Sequence, residues 1–172
     1  MKTISQLIIT MMICLFSIQT WAQSGKLFNT DNQLSSNLAT QVFQDKSGFI
    51  WIATRNGLNN YDGYHINVIK KDMSNFLGLN SNYINSIAQD EKEHILLGTN
   101  NSLLEFTGSE FLKIPMLDSK GKELATYVKQ IYPLRNKDVA VATSGYGIML
   151  KKQDEQKCHA MKGEVEKLKY IH

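Results

Sequence analysis

The stretch FIWIATRNGLNNYDGY, residues Phe49 to Tyr64, decides how this 172-residue chain is read. It is an apolar run, a short polar turn, a second run, and then Asp62-Gly63. Forty-five residues on, HILLGTNNSLLEFTGS begins at His94 with the same layout, and a looser VAVATSGYGIML begins at Val139. A fixed internal period outranks any local signal, because each copy must then be one unit of a repeated architecture.

Working outward, the first copy extends from Leu34 to Ile69 and the second from Leu79 to Ile114. Leu34/Leu79, Ser36/Ser81, Asn37/Asn82, Gln44/Gln89, Asp45/Asp90, Ile50/Ile95, Thr54/Thr99, Leu58/Leu103 and Gly63/Gly108 coincide without a gap. The third copy keeps Tyr127, Ile131, Val139, Val141 and Thr143 in the same scheme. Turn chemistry divides the first copy into four strand candidates: Ala39 to Gln44, Phe49 to Thr54, Leu58 to Tyr61 and Tyr64 to Lys70. Asp45-Lys46-Ser47-Gly48 reads as a four-residue turn, Arg55-Asn56-Gly57 as a tight connection, and Asp62-Gly63 as a two-residue hairpin.

Phe49 to Ala53 and His94 to Gly98 are nearly continuous apolar runs, which is how a strand reads when both faces are buried. One four-stranded meander cannot cover both of its own faces, so neighbouring copies must stack on it. Units of this length stacked radially are propeller blades. The expected fold is all-β, a partial β-propeller of about three four-stranded antiparallel blades, with Trp51 in the core between blades. The expected organisation is a leader at 1–22, an N-terminal strand at 23–33, blades at 34–78, 79–122 and 123–163, and the start of a fourth at 164–172. Lys169 to His172 resembles Asn82 to Asn85. Three blades are fewer than the ~4–8 that close a ring, so the chain reads as the beginning of a longer protein. The strand at 23–33 would close that ring. Its partners would be the remaining blades or a second copy of itself, since unpaired blade faces and edges favour self-association.

The leader is read from Lys2, the apolar run Leu7 to Ile18, and Thr20-Trp21-Ala22, small residues at the cleavage positions of a secretory signal. The run is short of the ~20 residues that span a bilayer, and the residues before Cys14 do not suit lipid attachment. Cleavage after Ala22 places the mature chain in the periplasm or outside the cell. Without Lys2 the chain holds 18 Lys+Arg against 16 Asp+Glu, a formal +2. Scattered over the sequence, that excess excludes nothing but a nucleic-acid partner. Only Cys158 remains after cleavage, so no intrachain disulfide forms.

No motif for chemistry emerges. Gly145-Tyr146-Gly147 lacks the last glycine of a phosphate loop, and the Leu58 to Ile69 stretch lacks the first and last ligands of a calcium loop. His65, His94 and His159 have no metal-ligand spacing, and Asp90, Glu91 and Glu93 read as a solvated turn. The expected sites are therefore no catalytic residue, no metal and no cofactor. Binding is the alternative: loops joining second and third strands open on one propeller face. Arg55, Asn56, Asn100, Asn101 and Tyr146 supply guanidinium, amide and phenol groups there, suited to sugar hydroxyls and carboxylates. Asn75, Asn80 and Ser81 lie in adjoining segments. Against this stands the common use of Asn as a turn former.

The string LSSN…QVFQDKSGFIWIATRNGLNNYDG resembles the two-component regulator propeller repeat. The second copy keeps that skeleton with Leu96 for Trp and Glu93 for the turn glycine; the third keeps one strand and Thr143. The resemblance runs from Lys26 to about Leu150. It implies the N-terminal periplasmic sensor region of a Bacteroides-type hybrid two-component histidine kinase, in which propellers precede an immunoglobulin-like domain, a membrane helix, a kinase and output domains. It further implies an oligosaccharide ligand derived from polysaccharide, and a membrane connection only through regions C-terminal to this sequence, which itself carries no kinase motif. The other reading is a fragment of a secreted propeller lyase or glycosidase whose catalytic residues lie on further blades. Mass spectrometry of the expressed protein is expected to find Gln23 at the mature N-terminus; an intact Met1 would overturn the leader.

Overall fold

The computed structural model describes residues 25–71 and 78–161. The leader, Asn75 and the fragment at 164–172 lie outside the described residues. Among the described residues thirteen strands run in chain order: β1 (Ala39–Gln44), β2 (Ile50–Thr54), β3 (Gly57–Tyr61), β4 (Ile66–Ile69), β5 (Ile84–Gln89), β6 (Ile95–Thr99), β7 (Leu103–Phe106), β8 (Phe111–Ile114), β9 (Met116–Leu117), β10 (Val128–Pro133), β11 (Val139–Thr143), β12 (Ile148–Lys151) and β13 (Cys158–Ala160). They form three sheets in the orders β1-β2-β3-β4, β5-β6-β7-β8 and β10-β11-β12-β13-β9. The first two are four-stranded antiparallel meanders. The third differs from expectation by a fifth strand, because β9, in the chain that leaves β8, pairs in parallel with β13.

Apolar side chains from facing sheets fill two cores. Trp51, Ala53, Leu58 and Ile69 of the first sheet meet Ile84, Ile87, Leu97 and Phe106 of the second. Ala88, Leu96, Leu103 and Ile114, on the opposite face of that second sheet, meet Val128, Ile131, Val141 and Met149 of the third. The middle sheet is thus covered on both sides, and all five residues of β6 are buried. β11 instead alternates buried and half-buried, as expected of a strand packed on one face only. The other face of the third sheet presents Tyr132 and Ile148 to solvent.

The first strand of each sheet carries the same register shift, between Ala39 and Gln41, Ile84 and Ser86, and Val128 and Gln130. Such a bulge turns two successive side chains out of the alternation, and here they reach the next sheet's backbone. Thr40 Oγ1 donates to the Ile84 carbonyl at 2.6 Å. The Gln41 amide donates to the Ile87 carbonyl and accepts from its N–H, at 3.0 and 2.9 Å. One sheet on, Asn85 Nδ2 donates to the Val128 carbonyl and Ser86 Oγ accepts from Ile131 N–H. In the third sheet the corresponding pair, Lys129 and Gln130, is exposed.

Two local expectations are corrected. Asp62-Gly63 is not a two-residue hairpin: the loop is Asp62 to His65, because Asp62 Oδ1 accepts from Tyr64 N–H and His65 N–H. Those bonds hold the Asp62 carboxyl below its ordinary value. The N-terminal segment is not a strand over its described residues. It has no ladder partner among them, and Thr30–Asn32 forms a 3₁₀ turn whose Thr30 N–H donates to Asn37 Oδ1. It still covers the first sheet: Phe28 meets Tyr61 edge-on at 5.0 Å. Ser35 also satisfies the fully buried Asn59, its N–H donating to Asn59 Oδ1 and its Oγ accepting from Asn59 Nδ2.

The β1–β2 turn keeps its geometry while changing its residue. Gly48, Glu93 and Lys137 occupy one repeat position with φ of 91°, 65° and 71°. A side chain in the left-handed region costs about 1–2 kcal/mol, so Lys137→Gly is expected to raise stability by up to about 1 kcal/mol in a denaturant melt. The buried Cys158 thiol is pushed up to about 12, chiefly by desolvation, with Lys151 pulling the other way. Native chain is expected to resist iodoacetamide at pH 8 and to react once unfolded in urea. Because the folded state holds this proton longer, its contribution to stability is complete below about pH 9, the ordinary thiol value, and is lost as pH rises toward 12.

Candidate binding rim

A recurring threonine builds the loops that connect second to third strands. Thr54 Oγ1 donates to the Gly57 carbonyl at 2.8 Å, Thr99 Oγ1 to Ser102 at 3.0 Å and Thr143 Oγ1 to Gly147 at 2.8 Å. Each hydroxyl closes its turn from inside the sheet and leaves the intervening residues exposed. Each turn also leans on the segment that leads into a first strand. Arg55 N–H donates to the Leu38 carbonyl and Ser144 N–H to Tyr127. Between sheets, Gly57 N–H donates to the Asn82 carbonyl at 2.7 Å.

These bonds align the loops along one rim. The Arg55 guanidinium carbon lies 5.5 Å from the centroid of the Tyr83 ring, and Tyr83 lies 6.3 Å from Tyr127. The Tyr127 hydroxyl donates to Asn85 Oδ1 at 2.9 Å. Partial desolvation and the neighbouring Tyr83 raise its phenol above the ordinary value. A cation and two aromatic rings, one from each sheet, therefore form a continuous strip across all three sheets.

The five residues singled out from sequence separate into two groups. Arg55 joins the strip, and Asn56 beside it is exposed. Asn100 is exposed too, its Oδ1 accepting from Ser81 Oγ at 2.8 Å while its amide nitrogen has no partner among the described residues. Tyr146 is half exposed at the tip of the third loop. Asn101 serves the turn: its Oδ1 accepts from Thr99 Oγ1 and Ser102 Oγ at 3.0 and 3.2 Å. Tyr83 and Tyr127 lie outside the turns, in the segments that lead into β5 and β10. They share one repeat position with Leu38, two residues before the bulge, and an aromatic there in two copies of three was the available signal.

The acidic turn is also corrected. Glu91 and Glu93 are exposed, but Asp90 is buried, drawn in by the N–H groups of Lys92 and His94 on its Oδ1. Its second oxygen lies near His94 and Glu105, brought from β7.

Residues 33–56 and 78–101 match the family described as Two component regulator propeller; each match spans the first two strands of a copy and the turn that follows them. No curated protein matches the sequence. Among solved structures, the chain is similar to the extracellular domain of BT4673 of B. thetaiotaomicron, described as a one component system, with TM-score 0.64 and 18% identity over 81% of this chain. It is similar to the extracellular domain of the hybrid two component system BT3049 of the same organism, TM-score 0.53 and 14% identity over 80%. It is also similar to PorZ of Porphyromonas gingivalis, a surface component of the type-IX secretion system, TM-score 0.54 and 15% identity over 72%. The chain spans about a fifth to a quarter of the length of these proteins, 21%, 26% and 21% respectively. Two repeat matches, a similar sheet stack and a recurring bulge agree on one point: the fold is that of a repeat propeller, and residues 33–56 and 78–101 are similar to the two-component regulator propeller repeat.

Proposed function

We propose that the chain is part of the extracellular or periplasmic sensing propeller of a hybrid two-component system, and that its rim receives an oligosaccharide. The family supports the signalling role, and the extracellular domains of BT4673 and BT3049 support the location. The observation that carries the ligand class is the strip Arg55–Tyr83–Tyr127. Aromatic faces offer apolar area to the C–H side of a sugar ring, and a guanidinium pairs with a uronate carboxylate. Asn56, Asn100 and Tyr146 beside it supply donors and acceptors for hydroxyls. Asn101 belongs to the scaffold of that rim. The chain acts as a binding unit, with output from domains beyond it; further blades of the same protein cover the free face of the third sheet.

Calorimetric titration of the purified chain with an oligogalacturonate and a neutral xylo-oligosaccharide tests this reading. Arg55→Ala is expected to weaken the acidic ligand by about tenfold, in keeping with a charge-assisted hydrogen bond, and the neutral ligand less. Tyr83→Ala is expected to weaken both. Equal binding by wild type and both variants, or release of new reducing ends during incubation, would overturn it.

A further inference from the structure

The middle sheet has lost a contact that the first sheet uses, and three substitutions stand in its place. In the first sheet the turn carboxylate of Asp45 is satisfied from two sides. Its Oδ1 accepts from Phe49 N–H at 2.9 Å and its Oδ2 from the Trp51 indole N–H at 2.7 Å. In the second sheet Asp90 holds the same position and its Oδ1 accepts from His94 N–H at 2.9 Å. Leu96, however, replaces the tryptophan, so the indole donor to the other oxygen is gone. At the same time the residue equivalent to Phe49 is His94 and that equivalent to Asn60 is Glu105. Trp51 pairs with Asn60 across the ladder and Leu96 with Glu105, so all the changed positions converge.

The result is a cluster of one imidazole and two carboxylates. His94 Nδ1 lies 3.1 Å from Glu105 Oε1 and 4.0 Å from Asp90 Oδ2. One ligand atom from each residue lies within 4.8 Å of the others. The Asp90 and Glu105 side chains are 6% and 2% exposed, whereas His94 is 30% exposed and opens the cluster to solvent. Two buried carboxylates are costly unless a cation answers them. Among the described residues no Lys or Arg forms an ion pair with either; a single imidazole carries at most one charge against their two.

We propose that Asp90, His94 and Glu105 bind a divalent metal ion of the zinc type, which fastens the β5–β6 turn to β7 and answers the carboxylate oxygen that the indole N–H of β2 answers in the first sheet. Zinc takes nitrogen and carboxylate ligands at about 2.0–2.2 Å in a tetrahedron, a shape that sets ligand atoms roughly 3.4 Å apart. The distances of 3.1 and 4.0 Å bracket that spacing, and a side-chain adjustment under about 1 Å closes it. The fourth position faces solvent beside His94. Calcium fits poorly, since it takes six to eight oxygen ligands and no imidazole.

Titration of the purified chain with ZnCl2, read by calorimetry and thermal melting, tests the site, with CaCl2 and MgCl2 in parallel. One Zn2+ per chain and a raised melting temperature are expected, and Co2+ in its place should give the visible absorption of a tetrahedral ion. Glu105→Gln, which keeps the shape, is expected to weaken zinc at least about tenfold. His94→Phe removes the imidazole ligand, so zinc binding should be lost; because it also takes the hydrogen-bond partner from the buried Glu105 carboxylate, its metal-free melting temperature should fall and zinc should no longer raise it. Zinc bound equally by wild type and both variants would place the ion elsewhere on the chain and overturn the proposal. Absence of saturable binding, or calcium bound as tightly as zinc, would overturn it too.

Discussion

The stacking of one small sheet on the next is the constraint from which the other features follow. A meander of four strands, each four to six residues long, has two faces and too little material to cover either by itself. The middle sheet solves this by packing Leu97 and Phe106 against Trp51 on one side, and Leu96 and Leu103 against Val128 and Val141 on the other. At roughly 25 cal/mol per Å² of apolar surface removed from water, these two interfaces are the main source of stability, since the described residues hold no disulfide. Gly98 shows how closely the sheets approach: a Cβ there would lie 2.6 Å from Val128 Cγ1.

Apolar burial alone would let the sheets slide, because it has no direction. The bulge on each first strand supplies direction. By turning Thr40 and Gln41, and then Asn85 and Ser86, toward the next sheet's backbone, it sets the offset between sheets with hydrogen bonds of fixed length. The same offset brings the second-to-third-strand loops along one rim, so that Arg55 from one sheet lies over Tyr83 of the next. Position of the candidate site is thus a consequence of the bulge, while its chemistry is free to vary loop by loop. Drift among the copies obeys the same division. The threonine inside each turn recurs, and the left-handed turn position tolerates Gly, Glu or Lys, but the indole–carboxylate contact of the first sheet gives way to an imidazole and a second carboxylate in the middle one.

The sequence by itself determined the period, the all-β class, and the place of nearly every strand. Those are properties of short stretches: continuous apolar runs at Ile50 to Ala53 and Ile95 to Gly98 report two buried faces, and Gly, Asp or Asn marks the turns. Arg55 and Asn100 were legible as exposed loop residues for the same reason. Only the tertiary structure decided what crosses between distant stretches. The parallel pairing of β9 with β13, the capture of Asp90 by the middle sheet, and the approach of Glu105 to His94 join residues whose local patterns give no hint of one another. So does the strip from Arg55 through Tyr83 to Tyr127. A turn is specified by the chemistry of four neighbouring residues, whereas these contacts depend on the offset and twist between whole sheets, which periodicity leaves undetermined.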